Sequence, residues 1–207
     1  MWKNLLLLLL LLAFCTAGCQ KQYVEKTSGA AYQVVDSQGN VIKFAQKPQR
    51  IMTTHFNLDN ILMGLVDEER VVALSKSMYD ASVSYISTEA IKKPTKLNYD
   101  FSSEQVLALK PDLIIAREST GENRIQTYRG MGIPVYVVSN ANNVEEIKKQ
   151  IQDIGQAVGE SERAEKLQQR MQTQLDYIKS KVKPSFSFIM ISTEAISLLF
   201  PFCVSTR

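Results

Sequence analysis

Residues 102–116 read SSEQVLALKPDLIIA, and this stretch decides the fold. Ser102 and Gln105 stand at the spacing of a capping box, in which the serine oxygen takes an orphan amide and the longer side chain reaches back. Val106, Leu107 and Leu109 give the short helix an apolar face, Lys110 suits the negative end of its dipole, and Pro111 cannot continue it. Leu113, Ile114 and Ile115 then run apolar without alternation, as expected of a strand covered on both faces inside a parallel sheet. The stretch is a helix feeding a central strand.

Strands and helices alternate on either side of it. Upstream, residues 32–44 read as a hairpin, with Val34 and Val35 on one arm, Val41 and Ile42 on the other, and a turn at Ser37, Gln38, Gly39 and Asn40. Residues 50–54 follow Pro48 as a first parallel strand, residues 58–65 supply a helical turn or two, and Asp67, Glu68 and Glu69 form a loop. Residues 71–74 make a second apolar strand, after which the chain is loosely patterned as far as Pro94. Downstream, residues 121–130 form a helix ending at a glycine, and residues 133–138 form another apolar strand. That order predicts an α/β fold: a Rossmann-like lobe on a parallel sheet, with right-handed crossovers and helices on its faces.

Val144, Ile147, Ile151, Ile154 and Val158 recur at three and four, a helical stripe that Gly159 interrupts. Ser161 is placed to cap a second, long helix with the stripe Ala164, Leu167, Met171, Leu175, Ile178 and Val182, stopped by Pro184. Such a helix would extend roughly 33 Å.

The amino terminus carries Lys3, an apolar core over residues 5–14, and small Thr16, Ala17 and Gly18 before Cys19, which together read as a signal peptide. About 20 apolar residues are needed for a stable membrane span, so the run is too short to be a permanent one. Residues 20–29 are polar and lack periodicity, as suits a tether.

With 207 residues and 45% hydrophobic content, the chain can build a proper core. A net charge of +3 with interspersed signs gives no basic stripe, so no nucleic-acid partner is expected. No G-x-S-x-G elbow, Walker loop, H-E-x-x-H or C-x-x-C occurs, and Gly130, Met131 and Gly132 precede a strand where a dinucleotide fingerprint would follow one. His55 is the only histidine, which argues against a dedicated zinc or manganese site. A binding protein with no catalysis, no cofactor and no resident metal is therefore expected.

Ligands of open α/β sheets lie beyond the carboxyl ends of the strands. This selects His55, Phe56 and Asn57 after the first strand, and Lys76, Met78 and Tyr79 after the second. It also selects Asn98 and Tyr99 before the residue 102 helix, and Arg117 and Glu118 after the DLIIA run. Rings, one imidazole and two cations suit a large, partly aromatic or anionic chelate. For each of them, an ordinary surface-loop side chain is the plain alternative. His55 has two readings, an axial ligand to a haem iron or a solvated or capping residue.

The run S-x-E-x-[IV]-L-A-L-K-P-D-L-I-I, spelled by residues 102–115, resembles the first-lobe signature of periplasmic substrate-binding proteins that feed ABC importers with iron-siderophore, haem or cobalamin. The hairpin is similar to that family's D-x-x-G-x-x-[IV], and residues 64–73 to its G-x-x-[DE]-R-V-V-A with an extra residue or so. The resemblance runs from about residue 32 to residue 184.

It implies a signal peptide over residues 1–18 and a tether over 19–30, with Cys19 as the lipidated residue of a lipobox that has Thr16 where the family prefers leucine. Only Cys203 then remains, so no disulfide is available. An N-terminal lobe over 31–142 follows, then connecting helices over 143–183 that would limit the relative motion of two lobes. Residues 184–207 would begin a second lobe. Residues 196–204 lack the glycines and turn residues the family places there, so an incomplete second lobe is expected, from a truncated or frameshifted reading frame or a fragment.

The resemblance also casts Glu104 as the carboxylate that pairs with permease arginines, a plain helix-start glutamate being the alternative. The implied function is an exported, periplasmic or cell-surface lipoprotein that captures a ferric-siderophore, haem or cobalamin-like chelate and hands it to ABC permease subunits. An anchored interaction or sensor lipoprotein would reuse the same lobe without carrying solute. A periplasmic α/β hydrolase is disfavoured by the missing nucleophile.

Overall fold

The computed structural model describes residues 31–84, 92, 94–98 and 101–182. The described chain begins with an antiparallel hairpin, β1 (Tyr32–Val35) and β2 (Val41–Phe44), in which the rings of the paired Tyr32 and Phe44 stack at 5.1 Å. Asp36 organises its turn: the buried carboxylate accepts the backbone N–H groups of Gln38 and Asn40 and the guanidinium of Arg129. Gly39 takes the positive φ of 83° that the turn needs. Val34 faces the core, whereas its neighbours Val35 and Val41 are exposed.

The main sheet contains β3 (Ile51–Thr53), β4 (Val71–Ser75), β5 (Thr95–Leu97), β6 (Leu113–Arg117) and β7 (Val135–Val138). All pairings are parallel, and the order is β5-β4-β3-β6-β7. The direction of winding reverses between β3 and β6, the Rossmann arrangement with its switch point. Ser37 in the hairpin turn donates its N–H to the carbonyl of Val137 at 2.9 Å, which occupies part of the otherwise open edge at β7.

Among the described residues five helices cover the sheet: α1 (Phe56–Leu65), α2 (Ser103–Leu109), α3 (Glu122–Gly130), α4 (Val144–Ala157) and α5 (Ser161–Lys181). Leu113 and Ile115 join one core cluster with Leu58, Leu62, Ile154 and Leu167, so α1, α4 and α5 share that face. Ile114 and Ala116 join the other, with Val106 of α2 and Ile125 and Tyr128 of α3. Alternate residues of β6 thus point to opposite faces and both sets are buried, which is why the sequence there is apolar without alternation.

The capping box forms. Gln105 donates its N–H to the Ser102 hydroxyl at 3.4 Å, and Ser102 donates its N–H to the Gln105 side chain at 2.8 Å. At the other end of α2, Lys110 adopts the left-handed conformation, and the cation meeting the last carbonyls is Arg50, which donates to Leu109 and Lys110. Asp112 accepts the backbone N–H groups of Gln49 and Arg50 at 2.7 and 2.8 Å, docking the start of β3 against the start of β6.

Several sequence expectations are corrected. Leu107 is 49% exposed and only Val106 of the α2 stripe is fully buried. Glu68 and Glu69, read as loop together with Asp67, form a short 3-10 turn with Arg70. Residues 95–97, which follow the loosely patterned stretch and belong to no expected element, form the edge strand β5. Ser161 is the first helical residue of α5, and the cap position belongs to Glu160, whose carboxylate meets Arg70 at 2.7 Å and Lys47 at 3.0 Å. The α5 stripe fades along its length: Ala164, Leu167 and Met171 are buried, Leu175 and Ile178 half-buried, and Val182 exposed. The signal peptide, Cys19, the tether and residues 184–207 lie outside the described residues. No described helix is long and apolar enough to cross a membrane.

Close approach of α4 and α5 depends on Gly155, where an added Cβ would fall 2.4 Å from Ala164 Cβ and 3.3 Å from the Glu160 carbonyl. Overpacking of this kind costs about 1–3 kcal/mol. The gain in helix propensity returns about 1 kcal/mol of that. With Ala164 Cβ only 2.4 Å away the upper end of that range applies, so Gly155→Ala is expected to lower unfolding stability by about 2 kcal/mol in urea titration; an unchanged or raised midpoint would show that the helices separate without cost.

Candidate functional site

Parallel strands end on one edge of the sheet, so their terminal and following residues meet there. The switch point lies between β3 and β6, which puts His55 and Arg117 on the loops flanking the crevice. Ile51 pairs with Leu113 and Thr53 with Ile115, and the Thr54 N–H donates to the Ile115 carbonyl at 3.1 Å.

A hydroxyl chain ties these loops together. Thr54 Oγ1 lies 2.8 Å from His55 Nδ1 and 2.9 Å from Thr120 Oγ1. His55 occupies the cap position of α1, but its side chain bonds no helix amide, so the capping reading is not realised. Burial, and then the positive charges of Arg117 and Arg124, push its pKa below the usual 6.5. The imidazole is consequently neutral at pH 7.

Arg117 is half-buried and donates from Nε to the Asn140 side-chain oxygen at 3.2 Å. That single bond orients the fork, and its terminal nitrogens have no acceptor among the described residues. Arg124 is fully engaged with its own surroundings: it donates to the Tyr128 hydroxyl and the Phe101 carbonyl and lies 4.4 Å over the Phe101 ring. It therefore braces the segment entering α2. Phe56 is half-buried against the core, and Asn57 and Glu118 are exposed.

A second group surrounds an open depression of about 770 Å³ lined by Lys76, Tyr79, Asp80, Lys96 and Asn98, among others. The Tyr79 hydroxyl donates to the Pro94 carbonyl at 2.7 Å, and Lys96 Nζ sits 4.2 Å from the centre of the ring. Burial first, and then the charge of Glu68, push the Tyr79 phenol up to about 12, so it stays protonated. Met78 is not at the edge: it is fully buried in the core, because the turn after β4 carries it inward. Tyr99 lies outside the described residues.

Glu104 projects from the first turn of α2 and is exposed. The Ser102 hydroxyl and its own backbone N–H hold its carboxyl below the usual range, so it remains ionised and accessible.

Asp59 escaped the sequence reading. It is 1% exposed and its carboxylate accepts from the Thr53 hydroxyl at 2.7 Å and from the Ser75 N–H at 2.9 Å, linking the ends of β3 and β4 beneath the crevice. The only signal was an acid embedded in the apolar run LDNILMGL, where a helix turned inward should have none. Burial raises its pKa to about 6. Lys96 was missed with the strand that carries it. Among the described residues, no three histidine, cysteine or acidic side chains converge on a point suited to a metal ion. The edge offers hydrogen-bond donors and positive charge for a solute.

Residues 51–187 match the family model described as periplasmic binding protein. The chain is 28% identical over 189 residues to an uncharacterized ABC transporter substrate-binding lipoprotein of Bacillus subtilis, covering 88% of this chain and 58% of that protein. Among solved structures, it is similar to a possible iron-binding, periplasmic solute-binding protein from Staphylococcus epidermidis, with 23% identity, a TM-score of 0.58, and coverage of 67% of this chain and 53% of the other. A periplasmic heme binding protein from Pseudomonas aeruginosa aligns with 25% identity and a TM-score of 0.52 over 64% of this chain and 49% of its own. The chain thus spans about half to three-fifths of the length of these relatives.

The buried carboxylate predicts a pH dependence. Asp59 holds its proton more tightly when folded, with a pKa of about 6 against 3.8, so the stability it contributes is complete below pH 3.8 and is lost as pH rises through 6. The loss amounts to at most about 3 kcal/mol. Asp59→Asn should gain stability relative to the parent as urea midpoints are followed from about pH 4 to pH 7. Parallel profiles for the two proteins would mean that Asp59 does not titrate in this window.

Proposed function

The chain belongs to the periplasmic binding protein family, and from that premise we propose that it captures a ferric-siderophore, haem or cobalamin-like chelate and delivers it to the permease subunits of an ABC importer. Its family is one of ABC transporter substrate-binding lipoproteins, which bind and do not catalyse. The observation that carries the reading of a solute site is Arg117, held at the switch point by Asn140 with its terminal nitrogens unspent, beside the neutral imidazole of His55.

His55, Phe56, Asn57 and Arg117 form one part of the proposed contact surface, and Tyr79, Asn98 and Tyr99 the other. Residues 31–142 act as the solute-binding lobe, and residues 143–183 as the helical connection to a second lobe. Cys19 is the proposed site of lipidation, which would anchor an exported chain to the membrane; the lipoprotein character of the Bacillus relative and the small residues before Cys19 support this. Glu104, ionised and projecting from α2, is the proposed contact for a permease arginine.

Titrating the purified chain with haem, cobalamin and ferric siderophores, followed by absorbance and calorimetry, should give saturable binding of at least one of them. Arg117→Ala should weaken it by about tenfold or more, since a charge-assisted hydrogen bond contributes about 1.5–3 kcal/mol. If no ligand saturates, the lobe serves as an interaction or sensor surface and the transport reading fails.

Docking is separable from capture. Glu104→Lys should abolish pull-down by the permease and uptake in cells while leaving solute affinity unchanged, because the side chain is exposed and its carboxyl is held only by Ser102 and its own backbone N–H. Normal uptake by this variant would remove Glu104 from the docking surface.

A further inference from the structure

We propose that the depression beyond β4 and β5 is a subsite for anionic oxygen donors, so that the solute is a negatively charged ferric chelate of catecholate or polycarboxylate type. This rests on the solute-binding reading above and narrows it, excluding neutral hydroxamate complexes and corrinoids as the preferred cargo.

The argument begins with β5. Its pairing sets Ser75 opposite Leu97 and Leu74 opposite Lys96, so Lys76 and Asn98 leave the two strands at one level with Lys96 just before them. Lys76, Lys96 and Asn98 all line the same depression. No acidic side chain pairs with either lysine among the described residues.

Lys96 is nevertheless held. Its ammonium lies on the face of Tyr79, and that ring is itself fixed by the hydrogen bond from its hydroxyl to Pro94. An aromatic face attracts a cation through its quadrupole without neutralising it, so the charge is oriented and still available to a ligand. The other wall carries Asp80, whose Oδ1 accepts both the N–H and the hydroxyl of Ser82 within its own turn, and whose carboxylate forms no ion pair with either lysine among the described residues. Arg117, across the switch point, adds a third cation on the same sheet edge.

Selectivity follows from the cost of covering these groups. A neutral complex lying over Lys76 and Lys96 strips water from two ammoniums and returns only uncharged acceptors, whereas an anion replaces that water with ion pairs. The same positive edge favours approach of an anion at low salt.

Calorimetry on the full chain with a ferric tris-catecholate, ferric citrate, a neutral ferric trihydroxamate and cobalamin tests this. One of the two anionic complexes should bind tightest and weaken with salt, and which one does so separates catecholate from polycarboxylate recognition. Lys76→Gln and Lys96→Gln should each lower that affinity by about two- to fivefold, the range for partly exposed ion pairs, and should leave neutral binding no weaker than in the parent, since the cost of desolvating an ammonium is removed. Both side chains are exposed, so circular dichroism should match the parent. A neutral complex binding as tightly as the anionic ones, or lysine variants without effect, overturns the proposal while leaving the solute-binding reading in place. Absence of binding by every complex overturns both.

Discussion

The site depends on a reciprocal clamp between the starts of two adjacent strands. Asp112 accepts the amides of Gln49 and Arg50, and the Arg50 side chain returns to the carbonyls that end α2. Together they fix Ile51 opposite Leu113, and from that register everything at the far edge follows. Because side chains alternate with a period of two, a slip of one residue would send Leu113 and Ile115 to the wrong face and separate the Thr54 and Thr120 hydroxyls. The Pro-Asp pair in the middle of the quoted stretch is therefore structural in its chemistry, although Glu104 and Arg117, proposed to touch permease and solute, flank it in the sequence.

Electrostatics at the carboxyl edge follow from burial as much as from charge count. Asp59 lies beneath the crevice, where two hydrogen bonds partly offset the cost of desolvating its carboxylate, and burial still prevails. His55 is driven toward neutrality by burial and by the arginines near it. The result is an edge where Asp59 is buried and Asp80 turns Oδ1 into its own loop, while Lys76, Lys96 and Arg117 have no acidic partner among the described residues. Such a distribution selects by sign before it selects by shape.

How much of this was legible depends on whether a feature is local. The capping box, the proline stop and the apolar β6 run are encoded within a few residues, and all appear where the sequence puts them. Strand β5 was not legible because an edge strand of three residues needs only one buried side chain, Leu97, and Thr95 and Lys96 look like loop. Leu107 misled because three apolar residues in a seven-residue helix define a face only loosely, and the sheet covers Val106 alone. The cap of α5 went to Glu160 because Arg70 and Lys47 hold that side chain from elsewhere in the chain, a long-range contact that spacing does not record. Of the proposed site, the loops were predictable from topology, while Asp59 and Lys96 required the register of β3, β4 and β5.

A sheet edge supplies one wall of a binding site, and the wall described here is polar, cationic and open. Ion pairs on an open surface contribute about 1 kcal/mol or less. The same pairs strengthen several-fold when a second surface excludes water and lowers the local dielectric. Small-molecule sites typically enclose most of their ligand. In the proposed two-lobe arrangement, the last turns of α5, where Leu175 still packs on the core, Ile178 is half-buried and Val182 is exposed, are where the second lobe would be joined. On this reading the lobe fixes which sign of solute is admitted, and closure by an opposing surface sets how tightly it is held.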